Sequence, residues 1–235
     1  MPVRVDIISI GTLSRNRLWN ETAALRTAHA TTTLLRTRDG GGKSQGRPRH
    51  ILVDPGLPAQ VQGPRLGERA GMRPDQIDTI FLTNFRPAHR AGLAAFPGAA
   101  VLLHEAERDA VGDHLRALLE RAEEDADAAR IIREELAILG RTRGAEDKLA
   151  DQVDLFPLPG YTPGTCGLLV AESASTTLIA GDAVPTRDHL LAGQVLPDAA
   201  DLERAQESLR EVYEIADVII PGHDNLFLNP RSYGA

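Results

Sequence analysis

Four apolar runs in this chain end in polar residues that could do chemistry. They are Asp54 in ILVDPG, the stretch TNFRPAH from Thr83 to His89, Asp182 in LIAGDAV and His223 in IIPGHD. A fifth turn, PLPGYTPGTCG at 157–167, carries Tyr161 and Cys166 between two further runs. Loops on a rigid scaffold are favoured places for function, and a strand that ends in Thr and a tight polar turn is a common setting for metal chemistry. Yet the turn after Thr83 offers Asn84, Arg86 and Ala88 and only one imidazole, His89. Each residue also has a plain structural reading. Asp54 before Pro-Gly forms a turn, Asp182 caps the next one, His89 starts a helix and His223 sits in a surface loop. Cys166 reads as a small core residue, and His29, His104, His114 and His189 as structural.

The elements that must position these residues follow from periodicity. Val3 to Ile10, Thr31 to Thr37, His50 to Val53, Ile77 to Leu82 and Ala100 to Leu103 read as strands in the first half. The β-branched TTTLLRT run makes the second of these the clearest. The polar run 39–49 reads as a loop, so the second and third strands form a hairpin. Residues 59–71 read as a helix ending at Gly71. From Glu105 to Ala150 Pro is missing and Gly is sparse, and Val111, Leu115, Leu118 and Leu119, then Ile131, Ile132, Leu136 and Leu139, recur at helical spacing. This predicts two or three amphipathic helices packed on the main body or on a second subunit. Strands return at Val153 to Pro157, Gly167 to Ala171, Thr176 to Ala180 and Val218 to Ile220. A helix over 199–216 buries Leu202, Ala205, Leu209 and Val212. Each half runs several strands and then a helix, which suggests two packed sheets with helices outside.

Composition narrows the function classes. The 235 residues carry 26 Lys and Arg against 33 Asp and Glu, a formal net charge of −7, with no basic run; this argues against a nucleic-acid partner. A single Cys excludes an internal disulfide and fits a reducing compartment. The N-terminal stretch lacks the apolar run of a signal peptide, and no segment approaches the ~20 apolar residues needed to span a bilayer. The expectation is a cytoplasmic protein without a membrane partner.

The order of the five turns resembles the metallo-β-lactamase fold hydrolases, the superfamily that includes glyoxalase II, over most of the chain. In that family a strand ends in Thr-His-x-His-x-Asp-His, a later turn reads Pro-Gly-His-Thr-x-Gly, a Gly-Asp follows a strand, and Pro-Gly-His comes near the end. These residues hold two metal ions, and a hydroxide attacks an ester, amide or thioester. The resemblance implies an α/β, four-layer αββα sandwich forming one domain over 1–235, with a helical insertion at 105–150. Here Thr83 is kept, but the ligand positions read Asn84, Arg86, Ala88 and Tyr161. His89, Asp182 and His223 match, and Asp54 matches the family's structural Asp.

What the resemblance implies for chemistry is correspondingly divided. Arg86 has no lone pair to give a metal, and a +2 ion about 4 Å from a guanidinium is repelled by roughly 8 kcal/mol at an effective dielectric of 20. The first ion is therefore expected to be missing. His89, Asp182 and His223 are three of the second ion's four ligands. Two imidazoles and a carboxylate are an open set suited to zinc or non-haem iron, so the expectation is one zinc, iron or manganese ion or none. If active, the protein is a mononuclear hydrolase acting on a small-molecule substrate. The alternative is a metal-free scaffold in which Arg86 pairs with Asp182, and the cleft binds an anionic ligand or partner. Arg86 and Arg90 flanking His89 at a helix start also suggest anion recognition, with Arg90 otherwise a solvated helix residue. The 105–150 helices could mediate a homo-oligomer.

Overall fold

The structure, a computed structural model, describes residues 2–38, 46–122 and 125–233. One sheet runs in the order β1 (Arg4–Ser9), β2 (Thr32–Arg38), β3 (Pro48–Val53), β4 (Thr79–Leu82), β5 (Ala100–Leu103), β6 (Thr142–Gly144). The other runs β7 (Lys148–Ala150), β8 (Val153–Pro157), β9 (Cys166–Ala171), β10 (Thr176–Gly181), β11 (Val218–Pro221), β12 (Phe227–Leu228). β1 to β3 pair antiparallel and β3 to β6 parallel, while in the second sheet only β10 and β11 pair in parallel. The hairpin of β2 and β3 holds the register Leu34 to Leu52 and Leu35 to Ile51.

The side-chain period of two sorts each strand between two cores. Leu35, Ile51, Val53 and Phe81 meet Leu168, Val170, Ile179 and Ile220 between the sheets. Their neighbours Leu34, Leu52, Ile80 and Leu82 face the other way, onto Leu66 of α1 (Ala59–Ala70), Leu115 of α3 (Glu105–Arg121) and Leu139 of α4 (Ala126–Gly140); the short α2 is Pro87–Arg90. Leu178, Ala180 and Ile219 face Leu190 of α5 (Arg187–Ala192) and Leu209 and Val212 of α6 (Leu202–Ile215). The layers are thus helices, sheet, sheet, helices. No helix of the described residues is long and apolar enough to cross a membrane.

Several expectations change. The helical segment does not reach 150: α4 stops at Gly140, and β6 and β7 follow as the facing edges of the two sheets. These three-residue strands are too short for periodicity to register. Residues 123 and 124 within that segment, and the expected loop 39–49 as far as residue 45, lie outside the described residues. From Pro48 the chain is already strand. Ile131 and Leu202, placed on buried faces by spacing, are 54% exposed each, because each sits near the rim of its helix's apolar stripe. Gly71 does end α1, at φ 64°, with its N–H on the Gly67 carbonyl.

Backbone bonds stitch the strand ends of both sheets at one edge of the sandwich. Ala30 N–H donates to Ala88 O at 2.8 Å, Thr31 N–H to Gly222 O at 2.7 Å, Cys166 N–H to Thr83 O at 2.9 Å and Gly222 N–H to Gly181 O at 2.9 Å. The polar residues singled out in the sequence are carried on these stitched loops.

Candidate metal centre

Asp54, at the end of β3, anchors the site. Its backbone takes the left-handed φ of 49°, which Asp tolerates better than most residues. That turns the carboxylate onto the end of β4. Oδ1 accepts from Thr83 N–H at 2.9 Å, and Oδ2 accepts from the Thr83 hydroxyl at 2.7 Å and faces His89 Nδ1 at 3.0 Å. His89 lies in α2 and is fully buried. Its Nε2 faces Asp182 Oδ2 at 2.8 Å, so one imidazole spans two carboxylates.

Asp182 follows β10 through Gly181, at φ 53°, where a Cβ would lie 2.4 Å from Thr83 Oγ1. A Cβ on Gly222 would lie 2.6 Å from Asp182 Oδ1. The Gly-Asp and Pro-Gly-His pairs are therefore needed for the carboxylate and the two loops to approach this closely. His223 follows β11. Its Nδ1–H donates to the carbonyls of Thr12 and His29 at 3.1 and 3.0 Å, and its Nε2 stands 3.0 Å from Asp182 Oδ1. The His89 and His223 rings are near-perpendicular, 5.6 Å apart.

The electrostatics of this buried group are demanding. Burial alone would lower the pKa of His89, but the carboxylates of Asp182 and Asp54 outweigh it and push it up to about 10. Burial alone would raise that of Asp182; His89 and His223 hold it well below the usual carboxylate range. With Nδ1 of His223 committed to two carbonyls, a neutral His223 turns a lone pair towards Asp182. Asp182 Oδ1 is buried and lacks a hydrogen bond despite the 3.0 Å approach. A buried acceptor in that state needs a cation or proton nearby.

A divalent ion fits this donor set. The three ligand atoms of His89, Asp182 and His223 lie within 4.8 Å of one another. Tetrahedral zinc with bonds of about 2.0–2.1 Å places its ligand atoms about 3.3 Å apart, and the His89 and His223 Nε2 atoms stand 2.8 and 3.0 Å from the two Asp182 oxygens. The outer contacts of both histidines, to a carboxylate and to backbone carbonyls, are those that orient imidazole ligands.

The adjoining positions are built differently. Asn84 Oδ1 accepts from Arg86 N–H at 2.9 Å, which fixes the amide so that Nδ2 donates to Asp182 Oδ2 at 3.0 Å. Arg86 does not pair with Asp182, contrary to the expectation for a metal-free scaffold. Its guanidinium bonds Asp198 at 2.9 Å and stacks on Tyr161, 4.5 Å from the ring centre. Asp182 is already taken by two imidazoles and an amide, and Arg86 reaches it only through its field, as one of the charges that raise the Arg86 pKa against burial. Burial and the Asp182 charge raise the pKa of Tyr161, so its phenol stays protonated.

Arg90 is neither solvated nor available to an anion. It is 8% exposed, donates to Phe85 O at 2.7 Å, lies over the Phe85 ring and pairs with Glu135 of α4. Three residues of the site were missed in the sequence. Glu107 of α3, 1% exposed, accepts from Phe85 N–H at 3.0 Å, the Thr162 hydroxyl at 2.7 Å and Gly164 N–H at 3.1 Å. It ties the loop of Asn84 to that of Tyr161. His189 and Asp198 line the same cleft of about 540 Å³ as Arg86, Tyr161, Asp182 and His223. Only Thr186, three residues before His189 as a helix cap, gave His189 any context.

No curated protein sequence matches the chain. Among solved structures, a Thermotoga maritima protein described as a metallo-beta-lactamase superposes with a TM-score of 0.67 at 19% identity, covering 97% of this chain and 100% of that one. AidC, a dizinc quorum-quenching lactonase, gives 0.63 at 16% identity, covering 85% and 75%. The Bacillus thuringiensis protein AiiA, solved with N-decanoyl-L-homoserine at its active site, gives 0.58 at 19% identity over 95% and 94%. At such identities the likeness is one of fold. The sequence itself carries the family: residues 45–223, well over half of the chain and running from before Asp54 to His223, match the metallo-beta-lactamase superfamily, and the chain belongs to it.

Proposed function

We propose that this protein is a mononuclear metal-dependent hydrolase of small acyl esters or lactones, with His89, Asp182 and His223 as the ion's ligands. The observation that supports this reading is the buried carboxylate of Asp182 held between two imidazole Nε2 atoms at 2.8 and 3.0 Å, with both Nδ1 atoms fixed from behind. When bound, a zinc, iron or manganese ion there supplies Lewis acidity that polarises an acyl carbonyl and makes water a better nucleophile at neutral pH. The overall reaction adds water to the acyl carbon and breaks its C–O bond, giving a carboxylate, a proton and an alcohol.

The chain's own residues hold this arrangement. Asp54 keeps the His89 ring aimed at Asp182, and His89 must release its Nε2 proton to act as a ligand. The carbonyls of Thr12 and His29 fix the His223 tautomer. Asn84 occupies the neighbouring position as a donor to Asp182, and Arg86, Asp198 and Tyr161 wall the cleft. The amide N–H₂, guanidinium and protonated phenol there suit one ion rather than two.

Elemental analysis of protein purified without added metal tests the reading. About one equivalent per chain is expected, lost in His223→Ala, with hydrolysis of an acyl lactone following the metal. Less than a tenth of an equivalent even after zinc is supplied overturns it and leaves a cleft that works without an ion.

A further inference from the structure

The cleft above the candidate metal centre is lined by charged groups of unequal standing. Asp182 is taken by the histidines and Asn84, and Asp198 by Arg86. Arg15 and Arg17, in the loop that enters the cleft before β2, have no carboxylate partner among the described residues. Among the described residues Arg15 makes only a 3.4 Å contact with Thr22 O. The loop's own acid, Glu21, is paired with Arg26, and the neighbouring Asp188 accepts from Trp19 Nε1–H at 2.7 Å. In a chain with seven more acids than bases, two unpaired arginines facing one cleft go against the overall charge.

The loop is held in place. Thr12 and His29 exchange backbone hydrogen bonds at its neck, at 2.9 and 3.1 Å, and the same two carbonyls accept from His223 Nδ1–H. Asn16, 1% exposed, caps the turn that carries Arg17 by accepting from Leu18 N–H at 3.0 Å. Trp19 bonds to Asp188, next to His189 on α5. Arg15 and Arg17 are thus carried by a loop fixed both to the ligand His223 and to the wall that bears His189.

His189 adds a neutral donor. It is 4% exposed and its Nδ1 lies 2.8 Å from Thr186 Oγ1. That oxygen accepts from the His189 backbone N–H, and its own hydrogen has no other protein acceptor among the described residues. The Thr186 hydroxyl therefore donates to Nδ1, which places the ring hydrogen on Nε2. Burial lowers the pKa of His189, so the ring is neutral. Nε2–H has no protein partner among the described residues, and the residue lines the cleft. The cleft that Asp182 and His223 line thus also carries a donor and two cations with nothing among the described residues to receive them.

We propose that Arg15, Arg17 and His189 Nε2–H form an anion subsite that selects substrates bearing a carboxylate or phosphate away from the scissile bond. This rests on the hydrolase reading for the word substrate; the anion subsite itself does not need the ion. The test pairs two readouts. In the first, 4-nitrophenyl hydrogen succinate is compared with neutral 4-nitrophenyl butyrate in the zinc-loaded protein. The charged ester is expected to have the higher kcat/KM, and the ratio to fall about tenfold or more in Arg15→Gln/Arg17→Gln, the order for a hydrogen-bonded charge losing its partner. His189→Gln, which keeps a donor, should hold most of the ratio that His189→Leu loses. In the second, binding of succinate and of inorganic phosphate is measured in the chelator-treated full chain; the tighter probe identifies the group the subsite takes.

Hydrolysis of both esters with a ratio that the double variant does not move overturns the anion subsite and leaves the hydrolase. Succinate or phosphate binding that the double variant abolishes, with neither ester hydrolysed, supports the subsite and overturns the hydrolase. Failure of the wild-type chain to bind either anion overturns the subsite.

Discussion

Two neighbouring halves of one cleft have been built on opposite rules. In one, His89, Asp182 and His223 bring two nitrogens and a carboxylate together, and the hydrogen bonds from behind keep them converged. In the other, Asn84, Arg86, Tyr161 and Asp198 satisfy one another by an amide bond, a stacked guanidinium and an ion pair. The first half concentrates a carboxylate and imidazole nitrogens at the nearly buried floor of the cleft. The second brings its own cation and has few open acceptors. The difference lies in where the compensating positive charge comes from: a buried imidazole, His89, or on the proposed reading an ion, in one half, and the guanidinium of Arg86 in the other. Substitutions should therefore have very different effects a few ångströms apart.

The largest effect is expected at Asp182. Its carboxylate is the shared partner of both histidines and of Asn84, at 4% residue exposure. Asp182→Asn leaves a charged His89 with only Asp54 as a carboxylate partner and puts a neutral amide oxygen where His89 and Asn84 met a carboxylate. Breaking a buried pair in this way costs about 3–5 kcal/mol. Urea denaturation of the chelator-treated variant and wild type should show that loss, and the variant should take up no zinc. A difference under about 1 kcal/mol, the range of an exposed pair, would mean that the two halves of the cleft do not differ as argued.

Much of the fold was legible because its signals are local. The β-branched run Thr31 to Thr33 and the apolar runs at 50–53 and 77–82 announce strands, and Asp54-Pro55-Gly56 and Pro221-Gly222 mark where they end. The trio was legible because each member sits just past such an end. Other features depend on encounters that no spacing records. Glu107 looks like any acid in a first helical turn until α3 lies across the loops of Phe85 and Gly164. Arg90 looks solvated until Glu135 and the Phe85 ring enclose it. Arg86 was matched to the wrong carboxylate because Asp198 is 112 residues away in a loop without a motif. His189 was set aside because a lone histidine in a sequence shows nothing of the cleft it lines.

Glu107 offers a way to sharpen the comparison from outside the cleft. It holds the loop of Asn84 and Arg86 to the loop of Tyr161, so it supports the self-satisfied half and touches none of the trio. Glu107→Ala strands two buried N–H groups, at a cost of about 1–3 kcal/mol each if water does not enter. A fall in the urea midpoint with one equivalent of zinc still bound is the expected result. Loss of both together would show that the halves are mechanically one unit.

The smallest effect is expected at the residue that looks most conspicuous in the sequence. Arg86 is 40% exposed in its side chain and its partner Asp198 is 61% exposed. Exposed ion pairs contribute about 0–1 kcal/mol, and stacking on Tyr161 adds about 0.5–1 kcal/mol at such a site. Arg86→Gln keeps a polar side chain and the backbone N–H that fixes Asn84, and should shift stability by no more than about 1–2 kcal/mol on those figures. Zinc should bind more tightly in this variant, because a cation whose field reaches Asp182 is gone. That gain should shrink as salt rises, since the pair faces solvent. Competition with a chromophoric chelator at low and high salt measures it directly. A variant that binds zinc no better than wild type at low salt would mean that the guanidinium's charge does not bear on the ion position, and that only the amide of Asn84 separates the two halves.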